Sequence, residues 1–425
     1  MCRLSYIWYR DGETGRMGKP SEPGAGASDK TNKGVQIVEK SVKAAVVEGP
    51  GKIAIRHIPY PKLEYGDGGA IMKSIASGIC GTDKHTFKGE TKQNGGTATE
   101  FHAAYPLIQG HEAVGIIEEI APGCVRKDFY GEELHPGDRI TFCPDIVCGE
   151  CYYCRTSPWY PWCEDPSREC YGNSLSCEQG KLLNGAFAEY MYLYPKAYLY
   201  KVPEKLPNDL ACLTEVMCVT YTLDKAKELF AFDGEGFEFG GSVVIQGCGP
   251  LGLAHVIKAR MLGAGTIIVT DISDYKLELA KAFGADITLN VAKTTSEERI
   301  DIVRQATHGF GGNVVCECSG VPGVVEEGLE MTRKCGVYVE TGHFVDVGPD
   351  SVNFHKICAK NLRIIGMNNH AVTGYRPTME MMLRHEKDFP WAKFFSHHYK
   401  LDDYETAIRT SMSPESMKVI VECWD

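Results

Sequence analysis

The pattern of apolar and polar positions changes near residue 212. Before it, short apolar runs are broken by Gly and Pro, and after it apolar strands alternate with amphipathic helices. Ala44-Ala45-Val46-Val47 and Lys52-Ile53-Ala54-Ile55, joined by Gly49-Pro50-Gly51, predict a β-hairpin. Further strands are predicted at 115–120, 138–142 and 187–193, so residues 43–212 read as an irregular, β-rich domain. A helix is predicted at 213–229, followed by the fully apolar strand 242–246. Strands at 266–270, 287–290, 314–318, 337–340 and 362–366 then intersperse with helices at 275–283, 296–307 and 324–332. Such alternation builds an α/β doubly wound parallel sheet, here over 213–368. The tail, 369–425, ends in a strand at 418–422 and is expected to fold back on the first domain. Residues 11–34 hold almost no large apolar side chains, so 1–42 is expected to be a flexible extension.

Composition narrows the class. The 425 residues suit two or three domains. With 45 basic and 56 acidic residues the net charge is −11, which argues against nucleic acid or an anionic membrane as partner and suits a small-molecule enzyme. No run of eighteen apolar residues appears, so no membrane-spanning helix is expected. Met1 to Arg10 show no small-residue cleavage site. The 18 cysteines, many of them single in apolar strands (Cys316, Cys318, Cys335), fit a reducing cytoplasm.

Three motifs carry chemistry. Gly247-Cys248-Gly249-Pro250-Leu251-Gly252 follows an apolar strand and opens a helix. There the first glycine permits a tight turn, the second lets backbone approach a pyrophosphate, and the third lets helix and strand pack closely. The helix N-terminus presents free N–H groups to phosphate. Asp271 closes the next strand at the distance where an acid accepts from the adenosine ribose and repels a 2′-phosphate, which favours NAD over NADP. Lys276 either reaches the ribose or is solvated at a helix start. Cys148, Cys151 and Cys154, two residues apart, can converge with a fourth cysteine on a tetrahedral zinc. Cys80 and His111 form a plausible second zinc pair with a carboxylate, although each alone could be a buried core residue.

From about Lys43 to the C-terminus the chain resembles the zinc-dependent medium-chain dehydrogenase/reductase family, which includes alcohol, polyol and threonine dehydrogenases. The resemblance is carried by Gly78-Ile79-Cys80-Gly81-Thr82-Asp83, Gly110-His111-Glu112, the four-cysteine lobe, Gly185-Ala186-Phe187-Ala188-Glu189-Tyr190 and the glycine-rich turn. It implies a GroES-like catalytic domain, with a structural zinc lobe near 143–177, and a Rossmann cofactor domain. It further implies a catalytic zinc held by Cys80, His111 and a carboxylate, either Glu215 or Glu112, with Glu215 typical of the polyol and threonine branch. Asp83 resembles the acid that orients His111, Thr82 and His85 the positions that pass the substrate proton outward, and Lys418 the base that meets the cofactor pyrophosphate. The fourth cysteine of the lobe is expected to be Cys163, with Cys170 and Cys177 as rivals, because the family's last gap is one residue shorter. An assembly of two or four identical subunits is implied as well.

The function expected from this is reversible NAD-linked oxidation of a secondary alcohol, on a polyol, diol or related polar substrate, with one catalytic and one structural zinc. Oxidation of a threonine-like amino alcohol is an alternative, weakened because Thr86-Phe87-Lys88-Gly89-Glu90 lacks the aromatic and acidic residues of threonine dehydrogenases. A zinc-free NADPH-dependent enone or quinone reductase and a catalytically silent nucleotide-binding protein are two others. Lys84, Lys88 and Lys92 are solvated loop lysines or an attraction for an anionic substrate. The polar segments 91–100 and 126–135 are expected to be loops near the cleft.

Overall fold

The apolar run at 44–47 forms the centre of the first hairpin, in which Ser41–Gly49 pairs antiparallel with Lys52–Pro59 and takes Leu107–Ile108 on its other edge. The computed structural model describes residues 40–157, 160–227 and 235–424; the expected extension up to residue 39 and the last part of the helix expected at 213–229 lie outside them. Among the described residues no helix is long and apolar enough to cross a membrane, and every described cysteine is free of disulfide bonding.

A seven-stranded sheet carries the catalytic side. Its central strand Ala70–Gly78 pairs antiparallel with Glu112–Ile120, Tyr190–Leu193 and Lys418–Glu422. The tail therefore does return to the first domain, where Ile420 faces Gly78 in register and Phe395–Lys400 adds outside it in parallel. The strand expected at 187–193 changes partners midway. Phe187 to Glu189 bond to the first hairpin through Ala45 N–H to Phe187 O (2.9 Å) and Glu189 N–H to Lys43 O (2.9 Å). The chain joins the larger sheet from Glu189, whose carbonyl accepts from Ser74 N–H at 3.0 Å, and pairs with it over Tyr190–Leu193.

The second half is a six-stranded parallel sheet in the order Ile287–Asn290, Thr266–Asp271, Ser242–Gln246, Gly312–Glu317, Thr332–Glu340, Arg363–Gly366. Its inner strands are apolar because helices cover both faces. The strand order reverses at Ser242–Gln246, which opens a crevice at the carboxyl ends of the strands.

Two expectations need correction. The helix placed at 213–229 begins earlier, at Asn208, and breaks after Val219 before a short turn at Thr222–Lys225. Pro207 precedes its first residue, and the Thr220 hydroxyl donates back to the Met217 carbonyl, which competes with the helical ladder. The segment 126–135 is not a cleft loop. Arg126–Lys127 and Glu133–Leu134 form a small ribbon, and Arg126 donates to the Tyr194, Pro195 and Ala197 carbonyls.

Candidate active-site cleft

The glycine-rich turn lies at the reversal of strand order. Gly247 has φ +91°, and a Cβ there would fall 2.8 Å from the Ser319 Cβ. A Cβ on Gly252 would collide with the Gly247 carbonyl, so this glycine lets the helix Pro250–Met261 pack against the strand before it. At Gly249 the space is open, as close approach of a ligand requires. Asp271 ends its strand beside this turn, accepting from Cys248 N–H at 2.7 Å and Ser273 N–H at 2.8 Å. Pro250, Leu251 and Lys276 line the same cavity.

Cys80 caps the helix Gly81–Lys88, and its N–H donates to Asp83 Oδ2 at 2.8 Å. Fully buried Asp83 turns Oδ1 toward His111 Nδ1, 3.9 Å away. Glu112, next in the chain, is buried against the Lys418 ammonium, which also donates to the Ile79 carbonyl at 3.2 Å. Glu215 arrives from the helix Asn208–Val219, with Oε1 3.2 Å from His370 Nδ1. Burial opposes a charge on His111, yet Cys80, Asp83 and Glu215 around it outweigh burial and hold its pKa well above the usual histidine value.

This donor set fits a divalent cation. A half-buried thiol is gathered with a buried imidazole and buried carboxylates, and Asp83 Oδ1, His111 Nδ1 and Glu112 Oε1 have no hydrogen-bond partner among the described residues. Among the described residues, donor atoms of three or more such side chains come within 4.8 Å of one another in two places: Cys148, Cys151, Cys154 and Cys163, and Glu317, Glu340 and His343. The set around His111 is looser because each carboxylate is drawn to its own partner: Glu112 to Lys418, Glu215 to His370, Asp83 to the Cys80 amide.

In the cysteine lobe, Cys148 N–H donates to Cys163 Sγ at 3.4 Å, Cys151 N–H donates to Cys148 Sγ at 3.3 Å, and Cys148 and Cys154 sulfurs are 3.9 Å apart. The rivals of Cys163 lie elsewhere. Cys170 sits in the strand Glu169–Cys170, which pairs with Asp145–Ile146 and faces the cleft, and Cys177 is buried under the first hairpin.

Thr82 Oγ1 lies 3.7 Å from Cys80 Sγ. His85 stands half-buried at the rim, its Nδ1 2.6 Å from Glu90 Oε2 and its ring edge-on to Phe344. Burial lowers its pKa, against the opposing pull of Glu90. Lys84 faces the cleft rather than solvent. Burial, then the neighbouring charges of Lys418 and Lys276, push its pKa down to about 8. Lys92 is instead bound to Asp346 at 2.7 Å. From the polar insert, Gln93 and Asn94 line the cleft. Sequence reading missed His370, Glu90 and the ion pair Asp145–Arg168. None belongs to a spaced motif, and an isolated histidine in Asn368-Asn369-His370 carries no local signal of its partner.

One cavity of about 510 Å³ joins Cys80, Thr82, His85, His111, Glu112 and Glu215 to the glycine-rich turn. The two halves also match known domains. Residues 66–204 match the alcohol dehydrogenase GroES-like domain and residues 250–384 the zinc-binding dehydrogenase domain. The chain is 28% identical to 5-exo-hydroxycamphor dehydrogenase of Pseudomonas putida, over 89% of this chain and 98% of that one. It is 30% identical to L-threonine 3-dehydrogenase of Pyrococcus abyssi, over 84% and 91% respectively. The crystal structure of an alcohol dehydrogenase from Thermotoga maritima superposes with a TM-score of 0.77 at 30% identity, covering 90% of this chain and 99% of that one. With its GroES-like and Rossmann-like halves meeting at one cleft, the chain belongs to the zinc-dependent medium-chain dehydrogenase/reductase family.

Proposed function

We propose that this alcohol-dehydrogenase-type oxidoreductase interconverts a polar secondary alcohol and its ketone with NAD(H). The observation that carries this reading is one cleft in which the half-buried Cys80 thiol and the buried His111 and Glu215 lie along the same cavity as the glycine-rich turn. Cys80, His111 and Glu215 would hold the catalytic zinc, and Cys148, Cys151, Cys154 and Cys163 a structural one. Glu215 is favoured over Glu112 because the charge of Glu112 is already committed to Lys418. The bound groups would bring Lewis acidity toward the substrate hydroxyl from zinc and hydride acceptance from NAD⁺.

The chain's own residues do the rest. Asp83 would orient the His111 ring, Thr82 would take up the substrate hydroxyl proton while releasing its own toward His85, and His85 would pass a proton on toward Glu90 and solvent. Lys84 and the helix N-terminus at Pro250 would meet the pyrophosphate and Lys276 would reach the ribose, while Lys418 lines the same cavity with its charge held by Glu112. Asp271 accepts from the ribose and disfavours a 2′-phosphate. A zinc-free reductase would have no use for the buried donors around His111, and a silent nucleotide-binding protein no use for Thr82 and His85 beside them. A homodimer or homotetramer and a cytoplasmic location belong to the same reading.

Purified protein supplied with zinc and either NAD⁺ or NADP⁺ is tested on polyols, diols, amino alcohols and simple secondary alcohols, with reduced cofactor followed by absorbance. Turnover with NAD⁺ on polar secondary alcohols is expected. Its absence across the whole panel would sink the proposal.

A further inference from the structure

Beyond the metal-ligand set, the cleft wall carries a polar group of its own. After Cys163 the chain makes a tight turn in which Asp165 Oδ1 accepts from Ser167 N–H at 2.8 Å, and it then pairs Glu169–Cys170 with Asp145–Ile146. This ribbon delivers Arg168 into the cleft. Its side chain is only 10% exposed, and Nη2 donates to Asp145 Oδ1 at 2.5 Å; Asp145 itself is 1% exposed. A guanidinium has five N–H donors in a planar fork, so the bond to Asp145 leaves others unspent on a side chain that lines the cavity, with the Phe101 ring centre 5.9 Å from its guanidinium carbon. In the turn that follows Cys170 stands Asn173, 3% exposed, whose Oδ1 is buried and has no hydrogen-bond partner among the described residues. Arg168, Asp145 and Asn173 line the same cavity as Cys80, His111 and Glu215.

We propose that Asp145, Arg168 and Asn173 form the subsite for hydroxyl groups of a neutral polyol, beyond the carbon that is oxidised. The proposal rests on the alcohol-oxidising reading above and names its substrate class. Spare Arg168 donors require acceptors, whereas the bare Asn173 oxygen requires a donor. A hydroxyl group is both, while a carboxylate or phosphate only accepts. Asp145 already neutralises Arg168, so the pair offers an anion no net attraction. An apolar substrate would leave Arg168 and Asn173 buried and unsatisfied, which disfavours it.

The test compares wild type, Arg168→Met and Asn173→Leu, each with zinc and NAD⁺, on neutral polyols (xylitol, sorbitol, erythritol), on xylonate and on 2-butanol. The ratio of kcat/KM for the best polyol to that for 2-butanol is expected to fall about tenfold to a hundredfold in each variant, mostly through KM. Because Arg168→Met strands Asp145, melting temperatures accompany the kinetics, and Asn173→Leu, which leaves the ion pair intact, decides the matter if Arg168→Met does not fold. An unchanged ratio overturns the subsite, as does a wild type that prefers xylonate to xylitol. A wild type that oxidises 2-butanol but no polyol overturns the subsite while sparing the dehydrogenase reading. A wild type that oxidises nothing overturns both.

Discussion

His370 Nδ1 lies 3.2 Å from Glu215 Oε1, and on the other side of the ring Nε2 lies 3.0 Å from the Tyr375 hydroxyl. The ring is fully buried, and its Nδ1 has no hydrogen-bond partner among the described residues, so the approach to Glu215 is a close charge contact from behind the carboxylate. Replacing His370 by Ala is expected to weaken zinc retention at the Cys80–His111–Glu215 set about tenfold to a hundredfold, the usual cost of losing a group that holds a metal ligand. Competition with a graded chelator, read by metal analysis, checks it. Wild-type retention in the variant would show that Glu215 is aimed by other means.

Cys163 and Cys170 separate two roles that spacing alone left open. Cys163→Ser is expected to cost one equivalent of bound zinc and to lower the melting temperature, because the sulfurs of Cys148, Cys151 and Cys154 would lose their fourth member. Cys170→Ser should keep the wild-type zinc content. Equal losses in both variants would contradict this assignment.

Asp271 touches the nucleotide turn directly, through the Cys248 and Ser273 amides. Asp271→Ser removes the charge that would repel a 2′-phosphate. The NAD⁺-to-NADP⁺ ratio of kcat/KM is therefore expected to fall about tenfold or more, the scale of a charged hydrogen bond. Steady-state kinetics with both cofactors measure it, and a ratio that stays put would remove Asp271 from cofactor selection.

His255 ties stability to pH. In the helix Pro250–Met261 its Nδ1 donates to the Leu251 carbonyl at 2.8 Å, Nε2 lies 2.7 Å from Thr222 Oγ1, and burial holds its pKa down to about 4 against an ordinary 6.5. Above 6.5 the ring is neutral in both states and contributes no pH dependence. As pH falls from 6.5 toward 4 the unfolded chain takes up a proton that the folded chain refuses, so stability drops by about 3 kcal/mol in total. Urea midpoints at pH 7 and pH 5 should therefore differ less in His255→Leu than in wild type. Identical differences would exclude His255 as a source of acid sensitivity.

The strands and helices of the parallel sheet are legible because apolar periodicity and the glycine-rich turn are local signals. The strand Ile287–Asn290 was expected at those residues, and the neighbouring elements within a few positions. Where the chain answers to distant partners, legibility fades. Phe187 and Glu189 bond to the first hairpin before the chain joins the larger sheet, a change of partner that no apolar pattern signals, and the Thr220 hydroxyl turns back on a helix whose period runs on.

The site divides the same way. Residue types and spacing by themselves determined the nucleotide turn, Asp271, the cysteine lobe and the candidate ligands Cys80 and His111, because each is a short motif whose geometry follows from a few consecutive backbone positions. Only the tertiary structure decided that the Cys163 sulfur and not that of Cys170 gathers with the other three, that Lys418 is buried against Glu112, that His370 stands behind Glu215, and that Arg168 lines the cleft. Those partners are separated along the chain by loops and by the returning tail. Which of them meet depends on how the seven-stranded sheet closes, with Ile420 in register against Gly78, and no local pattern encodes that closure.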